Sequence, residues 1–361
     1  MMKVIRITTS LDFGGIEKVF ELHAKYHKRN YELIFVSLSG GGKAEDFIRN
    51  LGYRVIILNV NSKVPGWKCL IKLTALLRDE KPYVVHTCGG EANFHGLIAA
   101  FAMRVPRRIG EEIGVPNHSF ISKIIFRIVY STAHKVIAIS NAVKQYLTSF
   151  EVPVGKVSVI YNPIDLSIKP QKVRVPHAGF RISSVGRLIH HKNLTILIDL
   201  VKILTERHPS NLFELWLIGD GTERGFLKEY AKSAGIENLV KFTGFVSEPQ
   251  QLLGETDLFI LPSVFEGFGL ACIEAIQCGL PVIVSNSGGM IEYITDGQNG
   301  FLFDPHSLSE LLQKTELLMK LDSGKLNQMI SKASERVYEL FSPDKYLNEL
   351  TDIYQISAIN N

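Results

Sequence analysis

The stretch Leu258-Phe259-Ile260-Leu261-Pro262-Ser263-Val264-Phe265-Glu266-Gly267-Phe268-Gly269-Leu270-Ala271-Cys272-Ile273-Glu274-Ala275 decides how this chain is read. An apolar run ends at Pro262-Ser263, and a turn bearing Gly267 and Gly269 leads into a helix-forming segment. The pattern predicts a helix over Leu270–Gln277, stopped at Gly279 with Pro281 just beyond. Strand, glycine turn and helix N-terminus together present backbone N–H groups to a phosphate. The glycines let the backbone approach closely, and the helix dipole favours the anion. Glu266 falls in the loop and Glu274 in the helix, so both carboxylates can face one cleft. Taken by itself, a glycine turn of this kind fits a buried strand, a turn and two solvated or ion-paired glutamates equally well.

The string as a whole, with its glutamates at Glu266 and Glu274, resembles the signature of retaining glycosyltransferases of family four in the GT-B superfamily, the glycosyl transferases of group 1. The resemblance implies an α/β chain of GT-B architecture: two facing Rossmann-like, doubly wound parallel-sheet domains with a cleft between them. It also implies that the N–H groups of Phe268, Gly269 and Leu270 hold a donor diphosphate, that Glu266 contacts the donor sugar, and that Glu274 binds the ribose hydroxyls.

Length and composition suit that architecture. A chain of 361 residues is long for one average domain, and its 46% hydrophobic and 21% charged content can build real cores. The opening Met1–Ser10 alternates like a strand and lacks the apolar stretch of a signal peptide, and no apolar run reaches spanning length, so a cytoplasmic enzyme is expected. The four cysteines, Cys69, Cys88, Cys272 and Cys278, show no close-spaced ligand pairs and read as free thiols.

Charge is unevenly spread. Residues 1–165 carry 22 Lys and Arg against 13 Asp and Glu, and the remainder 18 against 23. A basic half suggests an anionic partner: a membrane surface, a phosphorylated lipid acceptor or nucleic acid. Nucleic acid is disfavoured by the absence of zinc-finger spacing, an aromatic RNP string or a basic low-complexity tail.

Alternating strand and helix patterns divide the chain into a first domain over 1–165, a linker over 166–179, a second domain over 180–342 and a last helix over 343–361. The resemblance implies that this last helix packs back on the first domain. Helices are expected at Ile16–Lys28, Gly66–Arg78, Phe94–Met103 and Ser309–Phe341, and Lys345–Ile356 forms the last one. His118–Val136 sets Ile121, Ile124, Ile125 and Ile128 among Lys123, Arg127 and Lys135, which fits an amphipathic helix on an anionic membrane or a core-packed helix.

Beyond the central stretch, Gly14-Gly15 lies in the first strand-to-helix turn, and the resemblance implies that it faces the donor phosphates. The dinucleotide pattern G-x-G-x-x-G is absent there, which weakens an NAD reading. Gly186-Arg187 and Lys192 follow the first strand of the second half. A guanidinium and an ammonium five positions apart can both reach a diphosphate, where they would stabilise charge as the sugar–phosphate bond breaks. Elsewhere such a pair is usually two solvated cations; here type, spacing and position match the family. The stretch matching Gly219-Asp220-Gly221 lines the nucleotide pocket in relatives, though standing alone it equally fits a turn and an N-cap; Phe242–Val246 resembles the family segment whose backbone meets the nucleobase, which makes Val246 a candidate. Ser287-Gly288-Gly289 is a further candidate for closing the pocket around the sugar.

On the acceptor side, His86 ends a strand, where side chains of a parallel sheet reach the ligand-binding edge, and it reads equally as a functional or a structural residue. Many family members carry a cleft histidine after the next strand, but here Glu111-Glu112-Ile113 occupies that place. Glu111 and Glu112 are therefore candidates for positioning the acceptor hydroxyl, or for answering nearby basic charge. No Asp-x-Asp occurs, so a metal clamp has no obvious ligands, and neither a metal nor a cofactor is expected. The resemblance implies transfer of a sugar from a nucleotide-diphosphate donor, most simply a UDP-sugar, to a glycan or lipid-linked acceptor hydroxyl with retention. A nucleotide-sugar epimerase or hydrolase of the same fold, or a non-catalytic donor-binding subunit, are the alternatives.

Overall fold

The computed structural model describes residues 1–12, 14–114, 120–149, 151–168 and 178–355. The chain divides into two compact units, one comprising Met1–Asp165 with Phe341–Asn361 and the other Leu166–Leu340. Most of the 166–179 segment read as a linker lies outside the described residues.

In the first unit, strands β1 (Lys3–Leu11), β2 (Glu32–Gly41), β3 (Arg54–Ile57), β4 (Val84–Cys88), β5 (Arg107–Glu112), β6 (Lys135–Ala138) and β7 (Val157–Val159) form one sheet in the order β3-β2-β1-β4-β5-β6-β7. Every pairing is parallel. The connecting helices are α1 (Gly15–Tyr26), α2 (Lys43–Asn50), α3 (Trp67–Glu80), α4 (Gly90–Ala102), α5 (Phe120–Ser131) and α6 (Asn141–Ser149). A parallel sheet is covered on both faces, so its strands read as nearly continuous apolar runs. Accordingly Val4, Ile5, Ile7, Val84 and Val85 are all fully buried. Alternate side chains feed two cores. Val4, Phe20, Phe35 and Ala44 belong to one, and Ile5, Ile7, Leu73 and Ala99 to the other.

The second unit repeats the plan. Strands β8 (Phe180–Val185), β9 (Phe213–Ile218), β10 (Val240–Gly244), β11 (Leu258–Leu261), β12 (Val282–Ser285) and β13 (Phe301–Phe303) pair in the order β10-β9-β8-β11-β12-β13, again all parallel. Helices α7 (Thr195–Arg207), α8 (Arg224–Ser233), α9 (Gln250–Leu253), α10 (Leu270–Gln277), α11 (Leu308–Met319) and α12 (Ser323–Phe341) accompany them. Both sheets have their order reversal beside the first strand of the unit, and in open α/β sheets ligands bind outside the carboxyl ends of the strands at that point.

The last helix, α13 (Pro343–Gln355), belongs to the first unit. Its Tyr346, Leu347, Leu350, Ile353 and Tyr354 join the core that also holds Val4, Phe20 and Phe35. The single helix expected over Ser309–Phe341 is two, because Asp322 accepts from the Lys325 N–H at 2.9 Å and starts a new helix at Ser323. The helix expected over His118–Val136 is shorter. It ends at Ser131, and Lys135 already opens β6, while His118 itself lies outside the described residues.

Candidate active site

The candidate site is built from loops at the carboxyl edge of the second sheet. After β8 the chain passes through Gly186 and Arg187 to Lys192; after β9 it runs through Gly219–Gly221; after β11 it forms the Glu266–Gly269 loop. Glycine makes this convergence possible. A Cβ on Gly219 would sit 2.0 Å from the Gly186 carbonyl oxygen, and one on Gly221 would sit 2.3 Å from that of Leu188. The Leu188 N–H donates to the Asp220 carbonyl at 2.9 Å, joining the same two loops. An isolated bridge pairs Gly219 with Gly244, which brings the Gly244–Val246 segment to this edge.

Lys192 and Glu266, 74 positions apart, form an ion pair. Their side chains are 15% and 21% exposed, so the pair is partly shielded from water. Ser263 Oγ also donates to Glu266 Oε2, at 3.3 Å. The Glu266 backbone is fixed from the other side: its carbonyl accepts from the Gly289 N–H at 2.9 Å, and a Cβ on Gly288 would fall 1.8 Å from that oxygen. Ser287-Gly288-Gly289 thus packs against the residue whose carboxylate meets Lys192. Arg187 is exposed, five residues before Lys192 in the same loop.

Gly269 is the N-cap of α10, with φ +84° in the left-handed region. A Cβ there would meet Tyr293 Oη at 2.8 Å and Met290 Cγ at 2.9 Å. Tyr293 Oη lies 3.2 Å from the Phe268 carbonyl and 3.3 Å from that of Gly269, so the turn rests on this buried hydroxyl. The first N–H groups of α10, starting at Leu270, have no partners within the helix by geometry and carry its positive dipole end. Gly269→Ala is expected to weaken donor affinity at least about tenfold and to lower stability by ~1–3 kcal/mol. Calorimetric titration and urea denaturation would measure the two effects. Glu274 lies one turn further along α10 and is half-buried.

The sequence-predicted residues of the second unit, Gly186, Arg187, Lys192, Val246, Glu266, Phe268, Gly269, Leu270 and Glu274, therefore occupy one sheet edge and its loops. Gly14 and Gly15 lie in the first unit, exposed, at the start of α1. Ser263 and Tyr293 were not singled out from sequence. Ser263 stands three residues before Glu266, the spacing of a local turn contact; Tyr293 gives no local signal.

The acceptor-side assignment of His86 and Glu111 is corrected by their burial. His86 is 0% and Glu111 2% exposed, and both are spent on a network inside the first unit. Glu111 Oε2 accepts from Arg6 at 2.7 Å and lies 2.9 Å from His86 Nε2, while His86 Nδ1 bonds Tyr354 Oη of α13 at 2.8 Å. Burial and the nearby Arg6 push the His86 pKa down to about 4, which keeps the ring neutral. Burial alone would raise the Glu111 pKa, but the Arg6 guanidinium holds it below its ordinary value.

Glu112 is also withdrawn from the acceptor side: it is 3% exposed and accepts from Tyr130 Oη at 2.6 Å and from the Ile113 N–H at 3.1 Å. Burial pushes its pKa up from 4.5 to about 7, against the hydrogen bond from Tyr130. The folded state thus retains this proton to a higher pH than the unfolded chain. Its contribution to stability is complete below pH 4.5 and is lost as the pH rises towards about 7. Glu112→Gln should accordingly raise the urea midpoint relative to the parent protein at about pH 8, and less or not at all at about pH 5.

Among the described residues, no group of three or more His, Cys, Asp or Glu could hold a metal ion, and no helix is long and apolar enough to cross a membrane.

Comparison with known proteins agrees with the fold. The family model for glycosyl transferases group 1 matches residues 167–337, and that for glycosyltransferase family 4 matches residues 13–168. The chain is 26% identical over 338 residues to an Escherichia coli UDP-Gal:alpha-D-GlcNAc-diphosphoundecaprenol alpha-1,3-galactosyltransferase, covering 88% of this chain and 86% of that one. It is also 26% identical to the capsular polysaccharide biosynthesis glycosyltransferase CapM of Staphylococcus aureus, with 91% and 90% covered. Among solved structures, Anabaena HepE in complex with UDP superposes with a TM-score of 0.83 at 22% identity, over 99% of this chain and 100% of that one.

Proposed function

Because the chain belongs to the group 1, family-four glycosyltransferases, we propose that it transfers a sugar from a UDP-sugar to a hydroxyl of a lipid-linked glycan precursor, with retention at the anomeric carbon. The observation that carries this reading is the meeting of Lys192 with Glu266 beside the left-handed Gly269 turn and the N-terminus of α10. A cation, a carboxylate and a helix N-terminus on one sheet edge can receive a diphosphate and a polyhydroxyl together. The E. coli relative is named for a UDP-galactose donor and a diphosphoundecaprenol-linked acceptor, which supports this donor and acceptor class.

In the proposed step the bond between the anomeric carbon and the diphosphate oxygen breaks, and the acceptor oxygen bonds to the same face of that carbon. The acceptor's proton passes to the departing phosphate oxygen. Lys192, Arg187 and the N–H groups around Phe268, Gly269 and Leu270 stabilise the charge growing on the diphosphate. Glu266 orients the sugar hydroxyls and Glu274 the ribose, and Val246 contributes backbone near the base. No metal or cofactor is part of this scheme.

Incubation of the purified protein with UDP-sugars and a polyprenyl-diphosphate-linked sugar, followed by proton NMR of the product, tests the proposal. Transfer with the donor's α anomeric coupling preserved is the expected result. A β-linked product would overturn retention, and free sugar or an epimer formed without acceptor would overturn transfer.

A further inference from the structure

The loops after β9 and β10 carry a second polar cluster, apart from the Lys192–Glu266 pair. Strand order sets the distance between the two places. Lys192 and Glu266 meet where β8 and β11 adjoin, whereas Asp220 follows β9 and Gly244 ends β10. Neighbouring strands lie ~4.8 Å apart, so two strand spacings put the second cluster about 10 Å along the same edge. A nucleoside diphosphate whose phosphates sit at the first place can lay its base at the second.

Arg224 opens α8, and its Nη1 donates to Asp220 Oδ2 at 2.8 Å. Asp220 Oδ1 accepts from the Gly221 N–H at 2.8 Å, so both carboxylate oxygens are engaged. The pair lies over Gly244, which has φ +74°. A Cβ there would come within 3.8 Å of Arg224 Nη1 and 3.9 Å of both Arg224 Nη2 and Asp220 Oδ2. Phe245 follows directly and is 48% exposed, and an aromatic face beside a cation suits the stacking of a planar base. An ion pair this open to water, at 36% and 45% side-chain exposure, adds little to stability, so holding the fold is a weak reason for it.

What the guanidinium has left decides what it can read. Nη1 is spent on Asp220, and Nε is buried without a hydrogen-bond partner. Nη2 remains, and no acceptor meets it among the described residues. A single prong cannot make the two-pronged contact with O6 and N7 that guanine offers an arginine. It can donate to one carbonyl oxygen. Adenine and cytosine present an amino group at the matching position, which is another donor.

We propose that Arg224 selects the base of the donor, its Nη2 donating to the O4 carbonyl of uracil or thymine while Asp220 holds the guanidinium in place. That role rests on the donor site proposed above and adds the side chain that chooses its base.

Titration calorimetry of the full-length protein with UDP and CDP tests it, because the two differ only at the base edge that carries the O4 carbonyl or an amino group. The parent protein should bind UDP about tenfold or more tighter than CDP. Arg224→Leu should lower UDP affinity about tenfold and CDP affinity little, with an unchanged circular dichroism spectrum. Arg224→Lys, which keeps a charged donor, should recover part of the UDP affinity. Glu274→Ala, on the ribose that both nucleotides share, should lower the two by the same factor. An equal loss of UDP and CDP in Arg224→Leu, or a parent protein that binds CDP as tightly as UDP, would overturn the role of Arg224 and leave the donor site standing. Binding of neither nucleotide would overturn both.

Discussion

Lys192→Ala is expected to lower kcat by about two to three orders of magnitude while the protein stays folded. Lys192 comes from the loop after β8 and meets Glu266 from the loop after β11, so it is held where the two loops converge. A solvated surface ion pair is worth little, but both side chains here are largely shielded, at 15% and 21% exposure. In the proposed reaction the ammonium faces charge that grows on the diphosphate. Removing one such contact costs ~3 kcal/mol at the transition state, and that magnitude is what sets the expected loss. Arg187 is exposed, so in the proposed reaction water screens its charge more than that of Lys192, and Arg187→Ala should cost less than Lys192→Ala. Steady-state kinetics with a UDP-sugar, beside a circular dichroism check of folding, measures both. Near-normal turnover in folded Lys192→Ala would contradict the assignment.

The second large effect is on stability. Arg6 sits in the middle of β1 with 0% exposure. Its guanidinium donates to Glu111 Oε2 at 2.7 Å and to Tyr346 Oη at 2.9 Å, and lies 2.8 Å from His23 Nδ1. It also stacks 4.3 Å from the Phe20 ring centroid. One cation thus ties β1 to β5, α1 and the last helix. Burial alone would lower its pKa, but the neighbouring Tyr346 and Glu111 hold it above the ordinary value, so it stays charged. Arg6→Met leaves the Glu111 carboxylate buried without its guanidinium partner. Breaking a buried pair from one side costs ~3–5 kcal/mol, because the remaining charge has no compensation. Urea denaturation should show that loss, and hydrogen exchange should show α13 opening first. Arg6→Met/Glu111→Gln should recover part of it, since both charges are then gone. A single variant as stable as the parent would refute this account of the network.

These two sites also show what a sequence can disclose. The strand, turn and helix from Leu258 to Gln277 were legible because glycine placement, apolar run and stop signals all point the same way there, and the helix bounds agree with the structure. The break before α12 was legible too, in Asp322-Ser323-Gly324, but the long apolar periodicity on both sides outweighed it. Pairing of Lys192 with Glu266 needed the fold, since 74 residues separate them. For His86 and Glu111 the functional and structural readings both stood open, because a polar residue at a strand's carboxyl end looks the same whether it faces a ligand or a buried partner; the Arg6–Glu111 pair agrees with the reading that Glu111 answers nearby basic charge. The missing clue was Arg6: a cation inside Val4-Ile5-Arg6-Ile7 of a doubly covered strand requires a buried carboxylate. Residues on α5 were ambiguous for a different reason. Both of its faces are apolar, and only packing tells which one the core takes.

Ligand-observed NMR of the purified protein against UDP-, GDP-, ADP- and dTDP-sugars, with EDTA present, tests the central claim most directly. Saturable binding of a UDP-sugar that is lost in Glu274→Ala is the result this account predicts. A folded protein that binds none of these donors, or a Glu274→Ala variant that binds one as well as the parent, would contradict it.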